Sequence, residues 1–207
     1  MSPLLDPLKG CTTSQISDAM QRLPGSVGLR PLHRGAALLG TAFTVRVRSG
    51  DNLFIHKALQ LLRPGDVLVV DGGGDTSRAL VGEIMKRVAQ SRGCAGFVIW
   101  GAVRDSAAFA EDDFPCFARA VTHRGPYKHG PGECGVTVCV DGMLVDPGDI
   151  VVGDADGVVV VAAAQALEVG HAAREIARKE AQLLSAIDQG RYEDTWVDES
   201  LRRLGYA

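Results

Sequence analysis

The chain is predicted to fold as an α/β domain with a parallel crossover at its centre, and three observations carry that expectation. Two apolar runs, VLVVD at 67–71 and CAGFVIWG at 94–101, have the composition of strands covered on both faces. Between them Ile84, Met85, Val88 and Ala89 recur at helical spacing over about Val81 to Ser91, and Arg92-Gly93 supplies the stop. Strand, helix and strand in that order favour a right-handed parallel connection, whose ligand edge lies at the carboxyl ends of the strands. Both the glycine-rich GGGD at 72–75 and the pair Arg104-Asp105 fall at that edge.

The flanking segments complete the domain. TTSQISDAMQRL begins with hydroxyl residues suited to capping, places Ile16, Ala19, Met20 and Leu23 at helical spacing, and should end at Pro24-Gly25. In AALLGTAFTVRVRSG, Phe43, Val45 and Val47 alternate with Thr44, Arg46 and Arg48, which predicts a half-buried strand with one face in water. NLFIHKALQLL reads as a short helix carrying His56, whose plain reading is a surface or partly packed imidazole. DDFPCFARAV gives a further strand and KHGPGECG an irregular loop. VTVCV, MLV, DIVVG and VVVVA then form a meander closed by Asp-Gly, PGD and Asp-Ala-Asp-Gly turns. Ala163 to Gln189 is expected to be one long helix with a stripe of Leu167, His171, Ile176, Leu183, Leu184 and Ile187, long enough to reach a partner subunit. The expected organisation is therefore a domain over 1–162 and a helical extension over 163–207.

At 207 residues the chain can bury roughly 70% of its unfolded surface. With 22 basic against 25 acidic residues, nothing in the overall field argues for nucleic acid or an acidic membrane. No apolar stretch reaches the roughly 18 residues of a membrane span. The opening MSPLLDPLKGCTTSQ lacks a secretory signal pattern, so a cytoplasmic location is expected. The cysteines, Cys11, Cys94, Cys116, Cys134 and Cys139, are five in number and contain no CxxC, which suits reduced thiols. His123, His129, Cys134 and Cys139 cluster in sequence at a spacing that matches no zinc finger and reads as a structural loop. The DADG at 154–157 lacks the rest of a calcium-loop pattern and reads as a hairpin turn.

Glu83, at the start of a helix, precedes Arg104 by 21 positions, and the intervening helix and strand fold back so that helix start and strand end can meet. A convergence of Glu83, Arg104 and Asp105 suits a small acid and a metal, while a surface salt-bridge cluster is the plainer alternative. VVDGGGD at 69–75, GEIM at 82–85 and GAVRD at 101–105 resemble the RraA-like family, which includes the 4-hydroxy-4-methyl-2-oxoglutarate / 4-carboxy-4-hydroxy-2-oxoadipate aldolases. The looser resemblance runs over about 10–162.

The resemblance implies a three-layer β/β/α sandwich of the swivelling-domain kind, assembled as a homotrimer or hexamer with sites at subunit boundaries. It implies a class II, metal-dependent aldolase that cleaves a 4-hydroxy-2-oxo diacid to pyruvate and a second oxo acid, with possible oxaloacetate decarboxylation. Asp105 would ligate Mg²⁺ or Mn²⁺, and Arg104 would hold the pyruvate carboxylate and face its keto oxygen. Glu83 would hydrogen-bond a metal-bound water, and the turn at Gly82, with the amides of Ile84 and Met85, would bind the carboxylate. A further metal-shell glutamate would come from a neighbouring subunit, with Glu193 the first choice and Glu199 the second. Trp100 stands where many relatives carry a small or acidic residue, which suggests a different pocket wall. Some relatives are non-catalytic regulators of RNA-degrading enzymes, and that is the alternative function. The segment around the charged residues holds only Lys86, pointing along a helix, so a Schiff-base mechanism is disfavoured. The glycines of GGGD serve a tight turn and leave ligand contact open, and Asp75 is read as a cap.

Overall fold

The computed structural model describes residues 3–22 and 25–206. A 3-10 turn over Pro3–Leu8 leads into α1 (Thr13–Ala19), where Thr12 and Gln15 form a reciprocal capping box. The helix stops earlier than its apolar spacing predicts, because Gln21 and Arg22 adopt left-handed backbone at φ 63° and 65°. Leu23 and Pro24, part of the expected helix end, lie outside the described residues.

The chain continues through β1 (Arg30–Pro31), β2 (Leu38–Val47), α2 (Leu53–Leu61), β3 (Asp66–Asp71), β4 (Ala79–Val81) and α3 (Glu83–Ser91). It then forms β5 (Gly96–Val103), α4 (Ser106–Ala110), β6 (Cys116–Val121), β7 (Gly132–Cys134), β8 (Val138–Val140) and β9 (Met143–Val145). Finally come β10 (Ile150–Asp154), β11 (Gly157–Val161), α5 (Ala166–Asp188) and α6 (Thr195–Leu204).

The main sheet runs β1-β6-β5-β3-β2-β10-β11, with β4 added to β5 and β7 to β2. Strands β2, β3, β5 and β6 are parallel neighbours, as the crossover argument requires. The sheet curls into a nearly closed barrel. A β-carbon on Gly153 of β10 would lie 2.8 Å from the Phe117 ring of β6, although three strands stand between them in the sheet order. Ser26, just ahead of β1, donates its amide to Val158 of β11 at 2.9 Å and ties the two edges together.

The layering is β/β/α. On one face Ile55 and Leu59 of α2, Met85 and Ala89 of α3 and Phe109 of α4 pack on Val45, Leu68, Phe97 and Ile99. On the other, Val138, Val140, Met143 and Val145 of the β8-β9 hairpin cover Val67, Val69, Val98 and Phe117. Each fully buried phenylalanine, Phe97, Phe109 and Phe117, contributes on the order of 1.5–3 kcal/mol through its removal from water.

This two-sided cover corrects the reading of β2. Thr44 is fully buried and donates its hydroxyl to the Val136 carbonyl at 2.6 Å, because the chain entering the hairpin lies over the face expected to meet water. Only Arg46 in that strand is exposed. KHGPGECG is also not wholly irregular, since Gly132–Cys134 pairs antiparallel with β2. The Asp-Ala-Asp-Gly segment is the β10-β11 turn, where Asp154 accepts from the Thr13 amide and hydroxyl at 2.8 and 2.7 Å and so ties α1 to the sheet.

The long helix has nearly its expected span, but its docking face differs. Ala166, Val169, Gly170 and Ala173 are buried against Leu5, Leu8 and Ile16, while Leu167 is 61% exposed. Small residues win here because the helix sits directly on the N-terminal turn. A β-carbon on Gly170 would lie 2.5 Å from the Pro7 carbonyl oxygen. The first half of α5 thus belongs to the domain core, whereas Leu183, Leu184 and Ile187 further along are exposed. α6 lies within the expected helical extension, but as a separate helix that the sequence reading does not single out. Gly170→Ala should lower the thermal midpoint by roughly 3–10 °C despite about 1 kcal/mol of gained helix propensity, because only backbone can yield. An unchanged midpoint in a thermal melt would contradict this seating.

Candidate active site

Two adjacent parallel strands end together and build the site. β4 pairs with the end of β5 through Val81 and Val103, and the Arg104 amide donates to the Val81 carbonyl at 3.0 Å. The chain leaving β4 turns at Gly82 into α3, and the chain leaving β5 turns at Arg104-Asp105 into α4. The short strand β4 is absent from the sequence reading, which had started the helix at Val81. It is this strand that brings Glu83 beside Asp105.

Asp105 adopts left-handed backbone, φ 57° and ψ 42°, a strained state for a residue with a β-carbon. That turn aims its carboxylate back across β4, where Oδ2 accepts the Glu83 amide at 3.0 Å. Arg104 lies alongside, with Nε 3.7 Å from the same oxygen. Both groups pass directly over Gly82. A β-carbon there would sit 2.5 Å from Asp105 Oδ2 and 2.9 Å from Arg104 Cγ. Gly82 has extended backbone, so space rather than dihedral freedom demands glycine. The amides of Ile84 and Met85, in the first turn of α3, have no acceptor among the described residues.

A cleft of about 240 Å³ opens over this corner. The strand-end wall is Ala79–Gly82, Ile84, Met85, Arg104 and Asp105, Asn52 just ahead of α2 and His56 within it add a second side, and a loop adds Gly125, Pro126 and Lys128. The loop is held firmly. Buried Asp51 accepts the amides of His129 at 2.6 Å and Gly130 at 3.0 Å, and also that of Leu53 at 2.9 Å. Burial opposes its ionisation, but these three amides hold the carboxyl below its ordinary range. Arg78 reaches the Gly125 carbonyl at 2.9 Å and the Tyr127 hydroxyl at 2.8 Å, with its guanidinium 4.1 Å from that ring's centre.

Asn52 is 3% exposed and donates to the Leu80 carbonyl at 2.9 Å, which fixes the orientation of its amide. Its Oδ1 has no donor among the described residues. His56 is half-buried, and burial, then the charge of Lys128, lower its pKa. These residues escaped the sequence reading because they reach the cleft from separate segments.

The Glu83 side chain turns the other way. Its Oε1 accepts Arg87 Nε and Nη2 at 2.9 and 2.5 Å, and it lines a neighbouring cleft with Lys86, Arg34 and Asp112. Lys86, 4% exposed, leaves the Arg104 cleft and donates to the Ala108 carbonyl at 2.6 Å and Asp112 Oδ2 at 2.7 Å. Glu193 lies exposed between α5 and α6, and Glu199 lies within α6. Among the described residues no three His, Cys, Asp or Glu side chains group to hold a metal, which includes the cysteines and histidines near 123–139.

Trp100 does not form a wall of this cleft. Strand alternation sends it with Val98 to the hairpin face, where the Arg119 guanidinium lies 4.9 Å from its ring. The GGGD loop also stands apart from the cleft lining, with Gly73 and Gly74 both at φ 67°. Asp75 caps the Ser77 amide at 2.8 Å.

The family model described as RraA-like, Aldolase/RraA, matches residues 13–160. The chain belongs to the RraA-like family. A protein of Halalkalibacterium halodurans, provisionally named 4-hydroxy-4-methyl-2-oxoglutarate aldolase, is 42% identical over 150 residues, 72% of this chain and 71% of that protein. Among solved structures, the RNA-processing inhibitor RraA from Thermus thermophilis is 34% identical with a TM-score of 0.65, covering 72% of this chain and 91% of its own. Streptomyces coelicolor RraAS2, described as an unusual member of the RNase ES inhibitor RraA protein family, is 26% identical with a TM-score of 0.78, covering 87% and 96%. The α/β architecture is thus that of RraA-like proteins, with Gly82, Arg104 and Asp105 at the parallel strand ends.

Gly82→Ala should speed hydrogen exchange of the Glu83 amide by roughly tenfold or more, with the melting midpoint little changed, since the methyl displaces only the two side chains above it. An unchanged exchange rate by NMR would show that Asp105 and Arg104 need no such approach. Asp112 supplies a pH test. The Lys86 hydrogen bond holds its carboxyl down to about 2, against an unfolded value near ~3.9. Its contribution to stability is therefore complete above the unfolded value and is lost as the pH falls toward 2. Lys86→Met should raise the Asp112 pKa measured by NMR and flatten the stability profile between about pH 4 and 2.

Proposed function

We propose that the chain is a divalent-metal-dependent pyruvate aldolase, a lyase that cleaves a 4-hydroxy-2-oxo diacid to pyruvate and a second oxo acid and also decarboxylates oxaloacetate. The observation that carries this reading is the meeting of Arg104, Asp105 and the first-turn amides of α3 at one open strand-end cleft. The aldolase names of relatives such as the Halalkalibacterium protein support it.

In this reading the free amides of Ile84 and Met85 and the Arg104 guanidinium bind the carboxylate next to the keto group. Arg104 also faces the keto oxygen, where charge accumulates as the carbon-carbon bond beta to it breaks. Asp105 is the acidic side chain lining the cleft, and a lone hard carboxylate beside open space fits an oxygen-ligated, water-rich cation rather than zinc. Mg²⁺ or Mn²⁺ held by Asp105 would supply a Lewis acid for the same developing charge. Glu83 would act through a water that it hydrogen-bonds, and that water would take the proton of the substrate hydroxyl as the carbon-carbon bond breaks. The exposed pair of Glu83 with Arg87 opposes that by only about 0.3–0.5 kcal/mol, so the carboxylate is free to turn. Lys128 lines the cleft but is exposed, without the apolar enclosure that makes a lysine nucleophilic.

The same reading includes assembly as a homotrimer or hexamer. α5 and α6 expose Leu184, Ile187, Trp196 and Leu204, and docking of that arm on another copy would carry Glu193, or Glu199, toward the neighbour's Asp105. A second reading, a non-catalytic regulator that binds an RNA-degrading enzyme, is favoured by the likeness to the Thermus RNA-processing inhibitor.

A coupled pyruvate-release assay over several 4-hydroxy-2-oxo acids decides between them. Activity should require Mg²⁺ or Mn²⁺ and vanish in EDTA, and Asp105→Ala should lose activity while folding normally. Arg104→Lys should depress aldol cleavage and oxaloacetate decarboxylation alike by roughly 10²-fold, because an ammonium lacks the planar fork. Glu83→Gln should damage aldol cleavage more, since decarboxylation removes no hydroxyl proton. Full turnover in excess EDTA, or borohydride trapping of pyruvate on Lys128, would replace the metal with a Schiff base. Absence of pyruvate release from every acid would favour the regulator.

A further inference from the structure

We infer that the rim formed by Arg48, Arg78 and Arg124 around Tyr127 and His129 binds single-stranded nucleic acid. None of these five side chains lines the strand-end cleft, and the inference does not depend on what that cleft turns over.

Three observations carry it. First, the rim holds positive charge that the protein leaves uncompensated. The segment THRGPYKHGP at 122–131 contains no acidic residue, in a chain whose net charge is −3. Among the described residues Arg48, Arg78, Arg124 and the adjoining Lys128 have no ion-pair partner, whereas Arg22, Arg34, Arg87 and Arg178 all have one. Asp51, which bridges to this segment, is 1% exposed and its carboxylate is occupied by three backbone amides. Glu133, on β7, is taken by Arg46.

Second, that charge is fixed in place before a ligand arrives. The Tyr127 amide donates to the Gly50 carbonyl at 2.8 Å, the Arg48 amide to the Pro131 carbonyl at 3.2 Å and the Ala79 amide to the Arg124 carbonyl at 2.8 Å. The segment is therefore bonded to both stretches that carry the other two arginines. The Arg78 stem passes over Gly50, where a β-carbon would sit 3.0 Å from its Cδ. Its guanidinium is held by the Gly125 carbonyl and the Tyr127 hydroxyl, both neutral, so its charge stays available. Ordering it costs little on binding.

Third, the cations are interleaved with flat rings. The guanidinium groups of Arg78 and Arg48 lie 4.1 and 5.9 Å from the Tyr127 ring centre, and the His129 ring stacks on Tyr127 at 6.1 Å with their planes 22° apart. Both rings are exposed. Cations that track phosphates, set beside planar groups on which unpaired bases stack, suit a single strand. An acidic protein segment would use the charge and leave the rings without a role.

The test is fluorescence anisotropy of a labelled oligouridylate of about 15 nucleotides with the full chain, over a range of salt concentrations. Binding should be micromolar at about 50 mM salt, and a plot of log K against log salt should have a slope of about −2 to −3, from three or four phosphates at about 0.7 each. Arg48→Glu combined with Arg124→Glu should weaken binding by at least roughly tenfold and reduce the slope by about 1.4. His129→Ala should weaken it by roughly fivefold or more at unchanged slope, because a stack releases no counterions. The charge-matched pair Arg178→Glu and Lys179→Glu, on α5, should change neither. All these side chains are exposed, so the variants should fold, and a thermal melt checks this.

Absence of binding at about 50 mM salt, or equal loss in the α5 pair, would overturn the rim as a nucleic-acid surface. Displacement by polyglutamate of matched length as readily as by unlabelled oligouridylate, or His129→Ala without effect, would overturn it in favour of an acidic protein segment.

Discussion

Everything at the candidate site depends on one close approach, the passage of the Asp105 carboxylate and Arg104 stem over a residue with no side chain. Parallel strand ends are common, and by themselves they leave two helix starts side by side with no reason to interact. Here the left-handed turn at Asp105 throws its carboxylate onto the first amide of α3, and Gly82 leaves room for it. The bond satisfies one of the helix's orphan donors and places a negative charge at its positive end, so it offsets part of the strain of the turn. The remaining amides of that turn are left facing the cleft. Strain, helix end and charged pair form a single arrangement, and the position of Arg104 follows from it.

α3 separates two environments. Ile84 and Met85 line the cleft that holds Arg104, while Glu83, Lys86 and Arg87 line another with Asp112. Lys86 is the member whose role is structural. A lysine so deeply buried is costly unless its ammonium is fully engaged, and here it holds both the Ala108 carbonyl of α4 and the Asp112 carboxylate just beyond. It therefore pins the far side of the helix that Asp105 begins. The placement of the Asp105 carboxylate is thus supported on one side by the Glu83 amide and on the other by Lys86.

What was legible in the sequence is what local composition controls. The apolar runs of β3 and β5, the spacing of α3 and the stop at Arg92-Gly93 define the crossover, and GAVRD marks the strand end by its sudden change to charge. The reading of Thr44 failed because alternation shows that a strand has two faces but not what covers them. β4 escaped because three residues give no period. α1 was overextended because two left-handed residues, neither glycine, stop it. The cleft itself was half visible. Arg104 and Asp105 announce themselves in one motif, whereas Asn52, His56 and Lys128 arrive from two other segments, and only the anchoring of the loop on Asp51 brings them together.

The scaffold also explains how relatives with such different names can share one architecture. Packing of the sheet against α2, α3 and the β8-β9 hairpin engages none of the side chains that would do chemistry, because those stand on turns beyond the strand ends. Changing those turns alters the cleft and leaves the core intact. The arm beyond Ala173 is a second independent surface. Its exposed Leu183, Leu184, Ile187, Trp196 and Leu204 make an apolar face on helices that have already discharged their duty to the core through the first half of α5. A cleft with a single acidic side chain and an arm with no cover of its own are complementary deficits. In the assembly proposed above, docking the arm on a second copy would cover the apolar face and bring a further acid to the cleft.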